Sequence, residues 1–181
     1  MTLETKYLPL GTELTVTDGT QISGYASLFG QADQGGDTVT AGAYAASLAR
    51  LALANSKVKI LWQHDPCQPI GVWEEVREDR RGLFVKGRIL TDVDRGREAA
   101  ALIGAGAIDG LSIGYRTVKA QKGERGGRVL SELELWEVSL VTFPMLPDAR
   151  VAAKADAPED ATLHELALLF DQARETLFPD P

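Results

Sequence analysis

Hydrophobic and polar residues alternate along several short segments of this chain, which is the pattern of half-buried β-strands. The alternation is clear at residues 13–17, 21–29, 71–77, 83–90, 114–121, 128–133 and 135–143. Turn residues separate the segments, such as Asp18 and Gly19 between the first two. We therefore predict a strand-rich protein with β-hairpins over residues 71–90 and 114–133. A short apolar strand is predicted at residues 58–62.

Two segments have helical spacing instead. Within residues 40–54, Tyr44, Leu48 and Leu51 fall on one helix face, with Thr40 as the predicted cap. A second helix is predicted over residues 95–105, with Asp94 at its N-terminus. Hairpins with helices between them do not form a βαβ series. The predicted fold class is therefore mixed α/β (α+β), a mainly antiparallel sheet or barrel with peripheral helices.

The character of the chain changes near residue 151. Residues 151–181 contain seven acidic and two basic side chains, so most of the net charge of −7 lies there. Residues 152–161 have the composition of a linker. An amphipathic helix is predicted after them from the spacing of Leu163, Leu166, Leu169, Phe170, Ala173 and Leu177. The predicted domains are a barrel at 1–151 and an acidic linker plus helix at 152–181.

Composition narrows the function classes. A net charge of −7 disfavours nonspecific nucleic-acid binding, which requires a basic surface. Cys67 is the only cysteine, so an intramolecular disulfide is impossible and a reducing compartment is expected. No secretory signal is visible, and no apolar run approaches the roughly 20 residues that span a bilayer. We expect a soluble, cytosolic protein with no nucleic-acid or membrane partner.

No cofactor or metal site is predicted. Two histidines and one cysteine do not form a zinc cluster with ligand spacing. No glycine-rich phosphate loop ending in Lys-Ser/Thr is present. The glycines of residues 104–110 have the wrong spacing for a dinucleotide fingerprint and follow a predicted helix rather than a strand. The expectation is a site built from side chains alone.

Ser112 and His64 are the candidates for chemistry. Ser112 lies between Gly110 and Gly114 where a strand begins, so it is either an ordinary strand residue or an accessible nucleophile. His64 lies at the end of a predicted strand, just before Pro66. It is either a loop residue whose ring is hydrogen-bonded to solvent or a general base that acts near neutral pH. The other histidine, His164, lies on the predicted tail helix and is interpreted as structural.

A Ser–His pair needs a third group to orient the imidazole. Asp65 adjoins His64, but neighbouring side chains of an extended chain point to opposite faces. Asp109 is equally well explained as a turn residue. Glu137 lies in the most apolar strand, where a buried carboxylate must be exposed, protonated or paired. Cys67 is a weaker alternative nucleophile, because nothing near it in sequence would lower its pKa.

Several blocks of sequence together resemble the tailed-phage prohead serine proteases of the HK97 type, a family related to the herpesvirus assembly proteases. They occur in order over residues 20–151. The blocks are residues 24–29 (GYASLF), 37–44 (DTVTAGAY), 60–66 (ILWQHDP) with 69–71 (PIG), 110–115 (GLSIGY), 137–144 (EVSLVTFP) and 147–151 (PDARV).

The resemblance implies a closed antiparallel barrel surrounded by helices. It implies a serine endopeptidase with Ser112 as nucleophile and His64 as base, and Glu137 occupies the late strand where the third member is expected. The implied substrates are the scaffolding segment of the capsid protein and the protease itself. The implied location is the immature capsid in the host cytoplasm, and dimerisation is a further implication.

Three points stay open on the sequence alone. The oxyanion hole is assigned either to the backbone of residues 112–114 or to the loop at 148–150. The tail at 152–181 either docks on scaffold or capsid protein, is removed by self-cleavage, or packs on the barrel. The alternative function is a catalytically inactive barrel protein that acts as a structural or scaffold-associated assembly factor.

Overall fold

The part of the chain that the structure describes contains a nine-stranded sheet and two helices. The computed structural model describes residues 4–7, 15–17, 20–33, 35–123 and 126–142. The strands are β1 (Glu4–Tyr7), β2 (Thr15–Thr17), β3 (Gln21–Leu28), β4 (Thr38–Val39), β5 (Lys59–Trp62), β6 (Asp65–Glu78), β7 (Gly82–Ile89), β8 (Gly110–Lys122) and β9 (Arg128–Val141). The helices are α1 (Ala45–Leu53) and α2 (Asp94–Gly104).

The strands follow the order β1-β8-β9-β5-β6-β7-β3-β2, and β4 pairs separately with β9. Both predicted hairpins, β6–β7 and β8–β9, are confirmed as antiparallel pairs. The long β8–β9 hairpin lies inside the sheet, because β1 pairs with β8 and β5 pairs along the other edge of β9. Strand β9 is therefore an interior strand, which explains why it is the most apolar segment of the sequence.

The predicted mixed α/β class and mainly antiparallel barrel are confirmed in part: six of the eight pairs between described strands are antiparallel, but a closed antiparallel barrel surrounded by helices is an overstatement in two respects. Strands β4 and β5 both run parallel to β9, so the curled sheet is mixed. The described residues contain two helices, too few to surround it. The parallel pairing arises because the chain passes through α1 and returns to lie beside β9, a long-range contact that alternation along one strand does not reveal.

The core lies between the curled sheet and its helices. Its largest buried side chains include Trp73, Tyr44, Tyr115, Ile60, Ile113 and Leu130. Helix α1 packs Leu48 and Leu51 against this core, which confirms the predicted helix face. Ser47, on the same helix, accepts a hydrogen bond from the backbone N–H of Leu135 at 2.9 Å. Helix α2 buries Ala99 and Ile103.

Helix and strand boundaries differ locally from the prediction. Helix α1 begins at Ala45 rather than next to Thr40, and Thr40 bonds instead to the carbonyl of Leu130 at 3.3 Å. Strand β6 already begins at Asp65, so only two residues connect it to β5. The predicted domain boundary at 151 and the tail at 152–181 lie outside the described residues. Neither described helix has the length and apolar character needed to cross a membrane.

Candidate active site

Three neighbouring strands bring the predicted site residues together. In the β8–β9 pair, Ser112 lies opposite Ser139, and Gly114 lies opposite Glu137. Because side chains alternate along a strand, these four residues share one face of the sheet. On the other edge of β9, strand β5 ends at Trp62 and the next two residues form its turn into β6. His64 lies in this turn, where its backbone N–H bonds to Oγ of Ser139.

The three predicted residues form an unbroken chain of hydrogen bonds. The Nε2 atom of His64 lies 2.7 Å from Oγ of Ser112. The Nδ1 atom of the same ring lies 2.6 Å from Oε1 of Glu137. The two contacts use opposite ring nitrogens, so the imidazole bridges the hydroxyl and the carboxylate. This is the connectivity of a Ser–His–acid triad.

An unusual turn presents the His64 ring to its partners. Gln63 and His64 both have left-handed backbone conformations, with φ of 51° and 62°. Such conformations cost about 1–2 kcal/mol per non-glycine residue, so surrounding contacts must hold them. The N–H of Gln63 bonds to the carbonyl of Leu140 at 2.9 Å, and the N–H of His64 bonds to Oγ of Ser139 at 3.2 Å.

Glu137 is buried together with its partners. It is 3% exposed, and Ser112 and Ser139 are 0% exposed. A buried carboxylate must be hydrogen-bonded, and Glu137 is bonded at both oxygens: Oε1 to His64 and Oε2 to the hydroxyl of Ser139 at 2.5 Å. Sequence reasoning left such a carboxylate exposed, protonated or paired, and in the structure it is paired with His64.

The glycine opposite Glu137 makes room for its side chain. A Cβ atom at Gly114 would lie 2.0 Å from Oε1 of Glu137, closer than any real contact. The absence of a side chain at Gly114 therefore leaves the space that the carboxylate of Glu137 occupies.

The competing candidates contact other groups. Asp65 bonds to the backbone N–H of Cys67 and to the amide of Gln68, both at 2.8 Å. It therefore stabilises the start of β6. Cys67 is an exposed free cysteine, whereas the imidazole contacts Ser112. His164 and the loop at 148–150 lie outside the described residues. Among the described residues, no three His, Cys, Asp or Glu side chains lie close enough together to hold a metal ion.

Chemically, the arrangement suits activation of a hydroxyl. The imidazole Nε2 can accept the proton of Ser112 when Oγ attacks an electrophile, and Glu137 can hold the N–H of Nδ1 so that Nε2 keeps its lone pair. The described form does not expose the hydroxyl, since Ser112 is fully buried. A substrate can therefore reach Oγ only after the groups that cover it move.

Comparison with known proteins gives the same family as the sequence blocks. The model of the caudovirus prohead serine proteases matches residues 10–163. The prohead protease of Enterobacteria phage HK97 is 30% identical over 161 residues, which cover 86% of this chain and 70% of that protein. This chain belongs to the prohead serine protease family. It is a serine peptidase, and the resemblance to HK97-type proteases is confirmed.

Two further matches concern this prohead protease. The prohead protease of Escherichia phage T5 is 30% identical over 130 residues, which cover 71% of this chain and 60% of that protein. The solved structure of the bacteriophage T4 capsid assembly protease aligns with a TM-score of 0.61 and 17% identity. That alignment covers 77% of this chain and 96% of the T4 chain, which shows a shared fold. The alternative of an inactive assembly factor is not favoured by these relatives.

Sequence reasoning did not assign a role to Ser139 in this prohead protease. The signal was present, because Ser139 lies two residues after Glu137 and so must share its face. A hydroxyl beside a buried carboxylate in an apolar strand is a natural hydrogen-bond donor to it. The sequence could not show that β5 pairs with β9. This pairing brings the backbone of His64 to the same hydroxyl.

Proposed function

We propose that this chain is the endopeptidase that cleaves the scaffolding segment of the capsid protein, and the protease itself, during maturation of the prohead. Ser112 is the nucleophile, His64 the general base, and Glu137 the group that orients His64. The observation that carries this assignment is the chain of hydrogen bonds from Ser112 through His64 to Glu137. Membership in a family of serine proteases supports the reaction class.

The proposed reaction has two halves. Oγ of Ser112 bonds to the carbonyl carbon of the scissile peptide while Nε2 of His64 takes the hydroxyl proton. The imidazolium then donates that proton to the departing amine nitrogen, and the C–N bond breaks. A water molecule repeats the sequence on the acyl-enzyme and releases the carboxylate product. Glu137 stabilises the imidazolium in both halves without taking its proton.

The substrate proposal rests on the relatives. The T4 neighbour is a capsid assembly protease, and a 105-residue match at 34% identity is to a capsid polyprotein of Pseudomonas phage PAJU2. We extend the capsid protein as substrate to this chain, with the immature capsid as the place of action. Self-cleavage, a homodimer, the location in the host cytoplasm and the role of residues 152–181 belong to the same proposal. So does the absence of membrane or nucleic-acid partners.

Burial of the nucleophile fits an enzyme whose activity is controlled. Because Ser112 is fully buried in the described form, peptide binding must be preceded by a local opening. We propose that assembly of the capsid protein brings about this opening, so activity should be measured while the capsid protein assembles.

Co-expression with the cognate capsid precursor tests the proposal. The wild-type protein should process the precursor, and Ser112→Ala should leave it intact because the nucleophilic oxygen is gone. Ser131→Ala, an exposed serine on β9, is the matched control and should process normally. Processing by Ser112→Ala at the wild-type rate would refute the mechanism. Failure of the wild-type protein to cleave the precursor would refute the substrate assignment.

A further inference from the structure

A second buried serine lies within the candidate active site. Ser139 is directly opposite Ser112 in the β8–β9 register and is 0% exposed. Its Oγ lies 2.5 Å from Oε2 of Glu137 and 3.2 Å from the backbone nitrogen of His64. One hydroxyl therefore contacts both of the residues that are proposed to activate Ser112.

The donors and acceptors in these contacts are fixed by chemistry. The backbone N–H of His64 can only donate, so the oxygen of Ser139 accepts its hydrogen bond. An ionised carboxylate can only accept, so the hydroxyl proton of Ser139 points to Oε2 of Glu137. With the contact between Nδ1 and Oε1, the three bonds close a ring through Glu137, His64 and Ser139.

A closed ring restrains motions that a single hydrogen bond leaves free. The terminal torsion of a glutamate is broad, so a carboxylate held at one oxygen can rotate away from its partner. The bond from Ser139 to the second oxygen opposes that rotation. The bond from the N–H of His64 to Ser139 also helps to hold the left-handed backbone from which the ring projects.

We propose that Ser139 is a positioning residue of this protease, which fixes the carboxylate of Glu137 and the backbone of His64 relative to each other. This inference rests on the proposed function of Ser112, His64 and Glu137. Ser139 is not a second nucleophile, because its hydroxyl donates a hydrogen bond to Glu137 and the Nε2 atom of His64 is hydrogen-bonded to Ser112. Its effect on the reaction is transmitted entirely through the other two residues.

The variant Ser139→Ala should slow cleavage of the capsid precursor about 10- to 100-fold, the loss expected when a hydrogen bond to a charged group is removed. The effect should lie in kcat, with KM changed less than about twofold, because Ser139 does not contact substrate. Ser47→Ala is the matched control. It also removes a buried serine that bonds to a backbone N–H of β9, but this N–H belongs to Leu135 and not to one of the proposed site residues.

Two readouts separate positioning from a structural role. In the full-length protein, proton NMR should show a low-field resonance for the Nδ1–H of His64 bonded to Glu137. Ser139→Ala should broaden or lose it, and Ser47→Ala should keep it. In a Glu137→Gln background, where the carboxylate is already gone, adding Ser139→Ala should slow cleavage further by less than about threefold, because residues that act through one another are non-additive.

The outcomes distinguish this inference from the proposed function. If Ser139→Ala cleaves at the wild-type rate and keeps the low-field resonance, the inference is refuted while Ser112 remains the nucleophile. Equal losses in the wild-type and Glu137→Gln backgrounds would also refute it, since Ser139 would then act independently of Glu137. If Ser112→Ala still cleaves the precursor, the proposed function itself fails.

Discussion

Replacing Gly114 with alanine perturbs the candidate site without replacing any of its functional groups. The new Cβ would lie 2.0 Å from Oε1 of Glu137, 2.7 Å from Cδ and 2.8 Å from Cγ. All three atoms belong to the outer part of one flexible side chain, so the clash is relieved by moving Glu137 rather than the backbone. The fold should therefore survive, and the carboxylate should be displaced.

The displacement is large enough to break the contact with His64. Oε1 must move by at least about 1 Å to reach an allowed distance from the new methyl group, and errors of that size in catalytic geometry cost about 10²-fold in rate. The 2.6 Å bond between Oε1 and Nδ1 is the contact at risk. We expect cleavage of the capsid precursor to fall about 10²-fold.

Gly104→Ala is the matched control for this experiment. Gly104 ends helix α2, and a Cβ there would meet no atom within 4 Å. This variant should cleave at the wild-type rate and be equally or slightly more stable, because alanine is the better helix former. Initial rates of precursor cleavage and thermal unfolding should be measured for both variants. Wild-type activity in a folded Gly114→Ala variant would refute the proposed role of Glu137.

Two further predictions concern stability. Burial opposes ionisation of Asp79, but hydrogen bonds from the Tyr25 hydroxyl, the Arg81 backbone and the Arg77 side chain outweigh it and lower the pKa of Asp79 to about 2. Asp79→Asn should therefore cost about 1 kcal/mol of unfolding free energy above pH 4, after solvent screening, and the difference should vanish as the pH falls to 2. Urea unfolding across this range, with exposed Asp92→Asn as control, checks the sign, and a difference that grows toward low pH would contradict it. Arg128→Ala should cost about 2 kcal/mol in the same assay, since it removes three side-chain hydrogen bonds of 2.6–3.2 Å to the largely buried Asp37. Arg88→Ala, which breaks only an exposed 3.5 Å pair, should cost less than about 0.5 kcal/mol, and equal losses would refute the distinction.

Local patterns were sufficient to predict much of this protein. The two antiparallel hairpins follow from alternation and turn residues, which are properties of adjacent segments. Glu137 was singled out because a carboxylate in an apolar strand must be exposed, protonated or paired. The three residues assigned to the site are adjacent in the structure, with His64 between the other two.

Features that depend on distant segments were not predicted. The parallel alignment of β5 with β9 joins segments about 80 residues apart, and because of it a purely antiparallel barrel was an overstatement. The left-handed turn at Gln63 and His64 was also unforeseen, because neither residue favours that conformation as glycine does. It is supported by contacts to Leu140 and Ser139, which no local pattern reveals.

The mechanism depends on the activation of Ser112 by His64. The most direct measurement identifies the serine that reacts with a fluorophosphonate during capsid processing. The probe is added while the wild-type protein is cleaving its precursor, so that the site is open. The hydroxyl oxygen then bonds to phosphorus as fluoride leaves, and peptide mapping locates the adduct. We predict an adduct on Ser112, arrest of processing, and no adduct in His64→Ala. Arrest with the adduct on another residue, or uninterrupted processing with Ser112 modified, would contradict it.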